Sequence, residues 1–370
     1  MQRPVAMVDR QWRGRALVAL GLASFAACGG LVGDGGAGQV DGGGGGGAGG
    51  GGQTDAGPEL PPTIPLRAVS FNICGGQCNG GQPSGLDAAY TLIDDYQPHL
   101  VFLQEVCWSQ FQAFAAHYDG TYQVGFATIL KNYSGCGVAD CSVNDDDDPS
   151  NDEPRCWIGP MVAARGTLID PEAVPIGGND NQVNGDNPVV PPRDFHAACA
   201  GVVLDDLPTR AMRACSAHLR AFQDPDGVND AARLEQAANL TVHVAADVAA
   251  GSIVVIGGDL NAPPFKASMN PFYALDAPDQ QGTGIYYEAD QDDGRYYADY
   301  CTDGAAACRS GAVTLGPLGA GSSAGSNKYD YVFFSETSDP ASVSALPIDV
   351  ATSDHAFYRA LIEVATAPPR

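Results

Sequence analysis

The sequence predicts an α/β fold in which mixed β-sheets pack together and helices lie outside them. Three observations lead to that class. Short apolar stretches rich in β-branched or aromatic residues recur along the chain. Helical patterns fall between some of these stretches but not all. The interleaving therefore lacks the strict alternation that a purely parallel, doubly wound sheet requires.

The elements follow in order. A strand is predicted over Leu66 to Phe71, then a helix from Leu86 to Tyr96 after a start signal at Ser84, then a strand over Leu100 to Leu103. A second helical pattern runs from Trp108 to His117. Strands are predicted over Ala197 to Leu204 and Met212 to Ala217, followed by a long helical segment from Ala231 to Ala249 and a strand over Ile253 to Ile256. The last two strands are Tyr331 to Phe334 and Phe357 to Val364. Three stretches read as loop insertions: Asn132 to Arg155, Gly177 to Pro192, and Ala277 to Ser326. The Asp145 to Asp148 run lacks the alternating oxygen spacing and central glycine of a calcium loop and reads as a solvated acidic loop. Tyr286-Tyr287 and Tyr296-Tyr297 form an aromatic cluster expected to pack the third insertion onto its own domain.

The N-terminal residues carry a different signal. Arg10, Arg13 and Arg15 precede an apolar run from Ala16 to Ala27, too short to span a bilayer and shaped like the n- and h-regions of a secretory signal. The run ends Phe25-Ala26-Ala27-Cys28, which resembles a bacterial lipobox with Cys28 as the lipidated residue, although Phe25 stands where an aliphatic residue is usual. Residues 1–28 are thus expected to form a signal peptide with a lipobox, and 29–60 a glycine-rich flexible linker; 61–370 should form one domain. The expected location is outside the cytoplasm, as a cell-envelope lipoprotein or a secreted protein, with the lipid as sole membrane anchor. There is no oligomerisation signal.

Eleven cysteines are too many for an ordinary cytosolic enzyme, and disulfides are expected. Cys199 and Cys215 lie symmetrically about the turn from Asp205 to Thr209, so a hairpin there places them opposite each other. Cys301 with Cys308, and Cys74 with Cys78, are local candidates. The spacings lack paired C-x-x-C units, which argues against zinc. The formal charge of −25, from 44 acidic and 19 basic residues, argues against a broad basic face gripping polyanions. It does not exclude a phosphate substrate at a site that holds a divalent metal, because the ion supplies local positive charge.

Polar residues gather at the strand ends. Asn72 follows the first strand, Gln104-Glu105 the second, His218 the fourth and Gly258-Asp259-Leu260-Asn261 the fifth, whereas Asp330 precedes the sixth and Asp354-His355 the seventh. These exits and entrances share one sheet edge if the last two strands run antiparallel to the rest. Each segment alone reads as readily as a turn, a helix start or an ordinary satisfied histidine. Together they deliver carboxylates, amides and two imidazoles to one cleft.

In order and type, Ser70-Phe71-Asn72, Leu103-Gln104-Glu105, Ala217-His218-Leu219, Gly258-Asp259-Leu260-Asn261, Tyr329-Asp330-Tyr331 and Ser353-Asp354-His355 resemble the motifs of the endonuclease/exonuclease/phosphatase superfamily, over about Leu66 to Val364. Gly159 to Arg165, and Arg233 with Gln236, resemble its weaker signatures. The resemblance implies a four-layer α/β sandwich of two mixed β-sheets flanked by α-helices, with the site at one end. It implies a divalent-metal-dependent phosphoester hydrolase using Mg²⁺, or Mn²⁺ or Ca²⁺, with Asn72, Glu105 and Asp354 as metal residues. His355, oriented by Asp330 through a contact that favours the charged ring, would activate water or fix the scissile phosphate. Asp259 and Asn261 would position the nucleophile and stabilise the transition state, and His218 would protonate the leaving oxygen or bind the phosphate. Arg193 is a candidate phosphate contact. The leading expectation is an extracellular phosphodiesterase acting on nucleic acid. The alternatives are a phospholipid or sphingomyelin phosphodiesterase or an inositol phosphate phosphatase and, from another class, a non-catalytic surface binding module.

Overall fold

A computed structural model of the chain describes residues 62–131, 133–137, 156–177, 195–221, 228–275, 280–291, 309, 311–316, 327–337 and 342–367. The signal, Cys28, the glycine-rich linker, the Asp145 run, Arg193, Tyr296-Tyr297, Cys301 and Cys308 lie outside them.

Two six-stranded sheets face each other. The first has the order β11-β12-β1-β2-β4-β3. Its strands are β1 (Thr63–Asn72), β2 (Leu100–Cys107), β3 (Gln123–Phe126), β4 (Ile158–Ala164), β11 (Ser344–Ile348) and β12 (Phe357–Ala365). The second has the order β5-β6-β7-β8-β10-β9. It comprises β5 (Gly166–Pro175), β6 (His196–Leu204), β7 (Leu207–His218), β8 (Ile253–Asp259), β9 (Tyr287–Glu288) and β10 (Asp330–Phe334). The helices are α1 (Asp87–Tyr96), α2 (Trp108–His117), α3 (Val228–His243) and α4 (Ala245–Ala249).

The alternation of side chains along each strand explains the layering. Leu66 and Ala68 of β1, Leu100 and Phe102 of β2, and Tyr358 and Ala360 of β12 meet Ala198, Ala214, Val255 and Val332 of the second sheet in the central core. Their neighbours Val69, Phe71, Val101 and Leu103 turn outward to Ile93 of α1 and Phe111 and Phe114 of α2. Val254 and Ile256 of β8 likewise pack outward on Ala237 and Leu240 of α3. Both faces of the central strands are thus covered, which is why they read as continuous apolar runs. The four-layer sandwich is as the resemblance implied.

The strand directions place the site. β1 runs parallel to β2 and antiparallel to β12, and β7 runs parallel to β8, which is antiparallel to β10. The exits of β1, β2, β7 and β8 therefore share one end of the sandwich with the entrances of β10 and β12. Tyr286 is buried against the outer core of the second sheet, so this part of the third insertion packs on its own domain.

Some elements depart from expectation. The long helix breaks at Val244 into α3 and α4. β3, β4, β5, β9 and β11 were not expected as strands. Gly159 and Pro160 disguise β4, where a Cβ at residue 159 would lie 1.9 Å from the Ala127 carbonyl oxygen. β5 is an edge strand with a register shift between Ile169 and Glu172, and Asp170 there has φ 45°. Cys199 and Cys215 sit opposite each other on β6 and β7 and are bonded, and Cys74 is bonded to Cys78. A third disulfide, Cys107–Cys136, joins residues 29 apart, a pairing the spacing did not suggest. Among the described residues no helix is long and apolar enough to cross a membrane.

Candidate active site

Asp259 is the hub. It ends β8 with its side chain buried, in register with His218 on one neighbouring strand and Asp330 on the other. Its Oδ2 accepts a hydrogen bond from Asn72 Nδ2 at 3.0 Å and lies 3.6 Å from Nε2 of both His218 and His355. Its Oδ1 accepts the Asn261 N–H at 3.0 Å, closing a tight turn in which Asn261 takes φ 52°. That conformation is one that asparagine tolerates better than most residues, and the Asn261 amide completes it by donating to the Leu219 carbonyl at 3.0 Å. The Gly-Asp-Leu-Asn segment is thus both a turn and part of the site.

Asn72 joins the two sheets. Its Nδ2 donates to Glu105 Oε1 at 3.3 Å as well as to Asp259, and its Oδ1 accepts the Cys74 N–H at 2.9 Å. One amide therefore spaces two carboxylates. Glu105 lies at a bulge in β2, between Leu103 and Val106, with φ 54°. The bulge lifts its half-buried carboxylate out of the ladder toward the cleft.

His355 faces Asp330 from β12's entrance. Nδ1 is 2.8 Å from Asp330 Oδ2, and both side chains are almost wholly buried. Burial opposes the imidazolium, but the Asp330 and Asp259 carboxylates outweigh it and push His355 up to about 10. Burial also raises the Asp330 carboxyl, against the pull of His355. The pair accordingly keeps a proton between Nδ1 and Oδ2 through the neutral range.

Asp354 is exposed, with a carboxylate oxygen within 4.8 Å of the Cys74 and Cys78 sulfurs. Its charge also reaches His355. Asn72, Glu105, His218, Asp259, Asn261, Asp330 and His355 are thus brought together at one end of the sandwich.

Several partners carry no role in the sequence expectations. Ser353 Oγ accepts the His355 N–H at 3.1 Å and donates to the Asn72 carbonyl at 2.7 Å, locking the β12 entrance to the β1 exit. Thr314 Oγ1 accepts the N–H groups of Tyr329 and Asp330, both at 2.9 Å. Beneath Asp330, the buried Lys328 ammonium meets Asp290 at 2.8 Å, Glu288 at 3.2 Å and the Tyr358 hydroxyl at 3.1 Å. Ser353 opens the Ser353-Asp354-His355 motif, and its hydroxyl was within reach of sequence reasoning. Thr314 and the Lys328 partners Glu288 and Asp290 come from the insertion and carried no local signal.

A divalent cation fits this donor set. Glu105 offers a half-buried carboxylate tied by one oxygen to Asn72, whose Oδ1 keeps a second lone pair beside its bond to Cys74. Hard oxygen donors of this kind suit Mg²⁺, Mn²⁺ or Ca²⁺. Asp259, Asp330 and His355 also bring ligand atoms within 4.8 Å of one another, but the Nδ1–Oδ2 hydrogen bond already joins two of the three.

Comparison with known proteins agrees with this picture. The model of the Endonuclease/Exonuclease/phosphatase family matches residues 69–355. Among solved structures, the catalytic domain of human Nocturnin with a bound sulfate anion is similar at 16% identity and a TM-score of 0.52, covering 82% of this chain and 97% of that one. TDP2 from Caenorhabditis elegans is similar at 12% identity and a TM-score of 0.50, covering 84% of this chain and 78% of that one. At these identities the likeness is one of fold. No curated protein matches the chain.

Proposed function

The chain belongs to the endonuclease/exonuclease/phosphatase family, and on that premise we propose that it is a divalent-metal-dependent phosphoester hydrolase, in the first place a phosphodiesterase acting on nucleic acid outside the cytoplasm. The observation that carries this reading is the pairing of two chemically distinct halves across Asp259. On one side Asn72 holds the Glu105 and Asp259 carboxylates apart, and on the other Asp330 holds an imidazolium, His355, whose Nε2 points to Asp259.

Glu105 and Asn72, with Asp354 at the rim, would hold the cation, which when bound supplies positive charge to a phosphoryl oxygen and to the leaving oxygen. The rest falls to the chain itself. Asp259 Oδ2, already within 3.6 Å of two imidazoles, is placed to orient a water and take its proton. His355 enters the neutral range charged and so donates a hydrogen bond from Nε2 to a non-bridging oxygen of the phosphate. His218, on the other flank of Asp259, is placed to bind the phosphate or protonate the departing oxygen, and the Asn261 turn fixes Asp259. Arg193 remains a proposed phosphate contact. The acidic lining favours a reaction in which cation and imidazolium together receive the anionic substrate.

Export is supported by three disulfides in the described residues, which belong to oxidising compartments. The signal, the Cys28 lipid and the 61–370 catalytic domain complete this proposal. The purified chain should be assayed on plasmid DNA, RNA, sphingomyelin and inositol phosphates with Mg²⁺ and with a chelator. Metal-dependent turnover of nucleic acid is expected; turnover only of a lipid or inositol ester would move the substrate, and none on any phosphoester would sink the hydrolase reading.

A further inference from the structure

We infer that the Cys74–Cys78 disulfide loop, with Asn79, is the positioning element for Asn72 and Glu105, so that the cation-holding half of the site is complete only in the oxidised chain. The inference rests on the reading of those two residues as the metal-holding pair.

The geometry is specific. Cys74 has φ 47°, a left-handed conformation that a side chain with a Cβ disfavours, and it is in that conformation that its N–H meets Asn72 Oδ1 at 2.9 Å. The disulfide to Cys78 closes the turn, within which the Cys78 N–H donates to the Cys74 carbonyl at 3.1 Å. The same loop also pins the β2 bulge. The Ile73 N–H donates to the Gln104 carbonyl at 3.1 Å and the Gly75 N–H to the Glu105 carbonyl at 3.2 Å, so the backbone that sets Glu105 at φ 54° is held from this loop. Residue 75 must be glycine there, because a Cβ would lie 2.3 Å from the Glu105 carbonyl oxygen.

Asn79 ties the loop off. Its Nδ2 donates to the carbonyls of Ile73 at 2.9 Å, Cys74 at 3.2 Å and Thr352 at 3.1 Å, the last on the turn that carries Asp354 and His355. One short loop thus fixes the amide of Asn72, the backbone of Glu105 and the turn before β12. The two sulfurs also lie close to the Asp354 carboxylate, but being bonded to each other they are not metal ligands. With the disulfide absent, Cys74 is free to leave φ 47°, and Asn72 Oδ1 loses its fixed donor.

The test compares the oxidised full chain with Cys78→Ser, chosen because Cys78 is exposed, and with Asn79→Ala. The probe is Mn²⁺, its binding followed by the loss of the free-ion electron paramagnetic resonance signal. Both variants should need about tenfold more Mn²⁺ for half-saturation, the usual consequence of losing a group that orients a ligand. The double variant Cys199→Ala/Cys215→Ala, which removes a disulfide remote from these residues, should lower the melting temperature and leave the Mn²⁺ midpoint unmoved. At saturating Mg²⁺ the turnover of Cys78→Ser should return to within about threefold of wild type, a split that a merely structural loss does not give. Equal Mn²⁺ midpoints in all chains, or no Mn²⁺ bound by the wild type, would overturn the inference. Phosphoester turnover by the wild type bears on the hydrolase reading alone, because the Mn²⁺ titration decides the clamp without it.

Discussion

Replacing Asp330 with asparagine removes one oxygen's charge and almost no volume, and the structure says what should follow. Asp330 is fully buried and lies 2.8 Å from His355 Nδ1, and His355 stands at about 10 against an ordinary 6.5. That gap is a preference for the charged ring of about 5 kcal/mol, at 1.36 kcal/mol per pKa unit. It agrees in size with the roughly 3–5 kcal/mol lost when one partner of a buried pair is removed. In Asp330→Asn, burial acts on His355 with its main counterion gone, so the ring should titrate at or below its ordinary value. The sign follows from the raised pKa of the folded state. The contribution of His355 is whole at about pH 6.5 while Asp330 is ionised, shrinks as pH rises, and is gone near pH 10. The stability difference between wild type and variant, from denaturant melts, should therefore be largest in weak acid and vanish toward pH 10. The histidine Cε1–H resonance of His355, followed in the metal-free chain with chelator present, should stay flat from pH 5 to pH 9 in wild type and move in the variant. A wild-type resonance titrating near 6.5 would refute the assignment of a held imidazolium.

Further outcomes are expected from other parts of the molecule. Lys328→Met should cost about 3–5 kcal/mol in a urea melt, because it leaves Asp290 and Glu288 buried without their cation; a loss under about 1 kcal/mol would show that the cluster relaxes freely. Removing the Cys199–Cys215 bond, which spans 16 residues, should cost about 2–4 kcal/mol in the same assay and leave turnover unchanged. Asn72→Ala should cut turnover by about a hundredfold or more and raise the Mg²⁺ requirement, since Glu105 and Asp259 lose the amide that spaces them; unchanged metal dependence would count against its role.

The sequence displayed those parts of the fold whose burial pattern is local. β2, β8, β10 and the second half of β1 are apolar because both their faces are covered, β6, β7 and β12 alternate buried with more open positions, and each was legible. β5 and β11 were not, for an edge strand keeps polar residues and proline, as at Asp170, Pro171 and Pro347, without penalty. The site's residues were legible because strand ends concentrate polar side chains in otherwise apolar runs. Their partners were less so. That Asn72 turns Nδ2 to both carboxylates and Oδ1 to Cys74 depends on a disulfide loop and a facing sheet. The Lys328 cluster depends on an insertion folding back beside β10, where Glu288 lies on β9.

On the proposed function, Asp259, set between two imidazoles and the Asn72 amide, is the working carboxylate of a metal-dependent phosphoester hydrolase. Release of p-nitrophenol from bis(p-nitrophenyl) phosphate by the wild type and Asp259→Asn, each with Mg²⁺ and with chelator, tests it most directly. Turnover by the wild type should be abolished by chelator and restored by Mg²⁺, with a loss of about 10²–10⁴-fold in a variant that still melts cooperatively. Equal rates for the two proteins, or turnover indifferent to chelator, would contradict it.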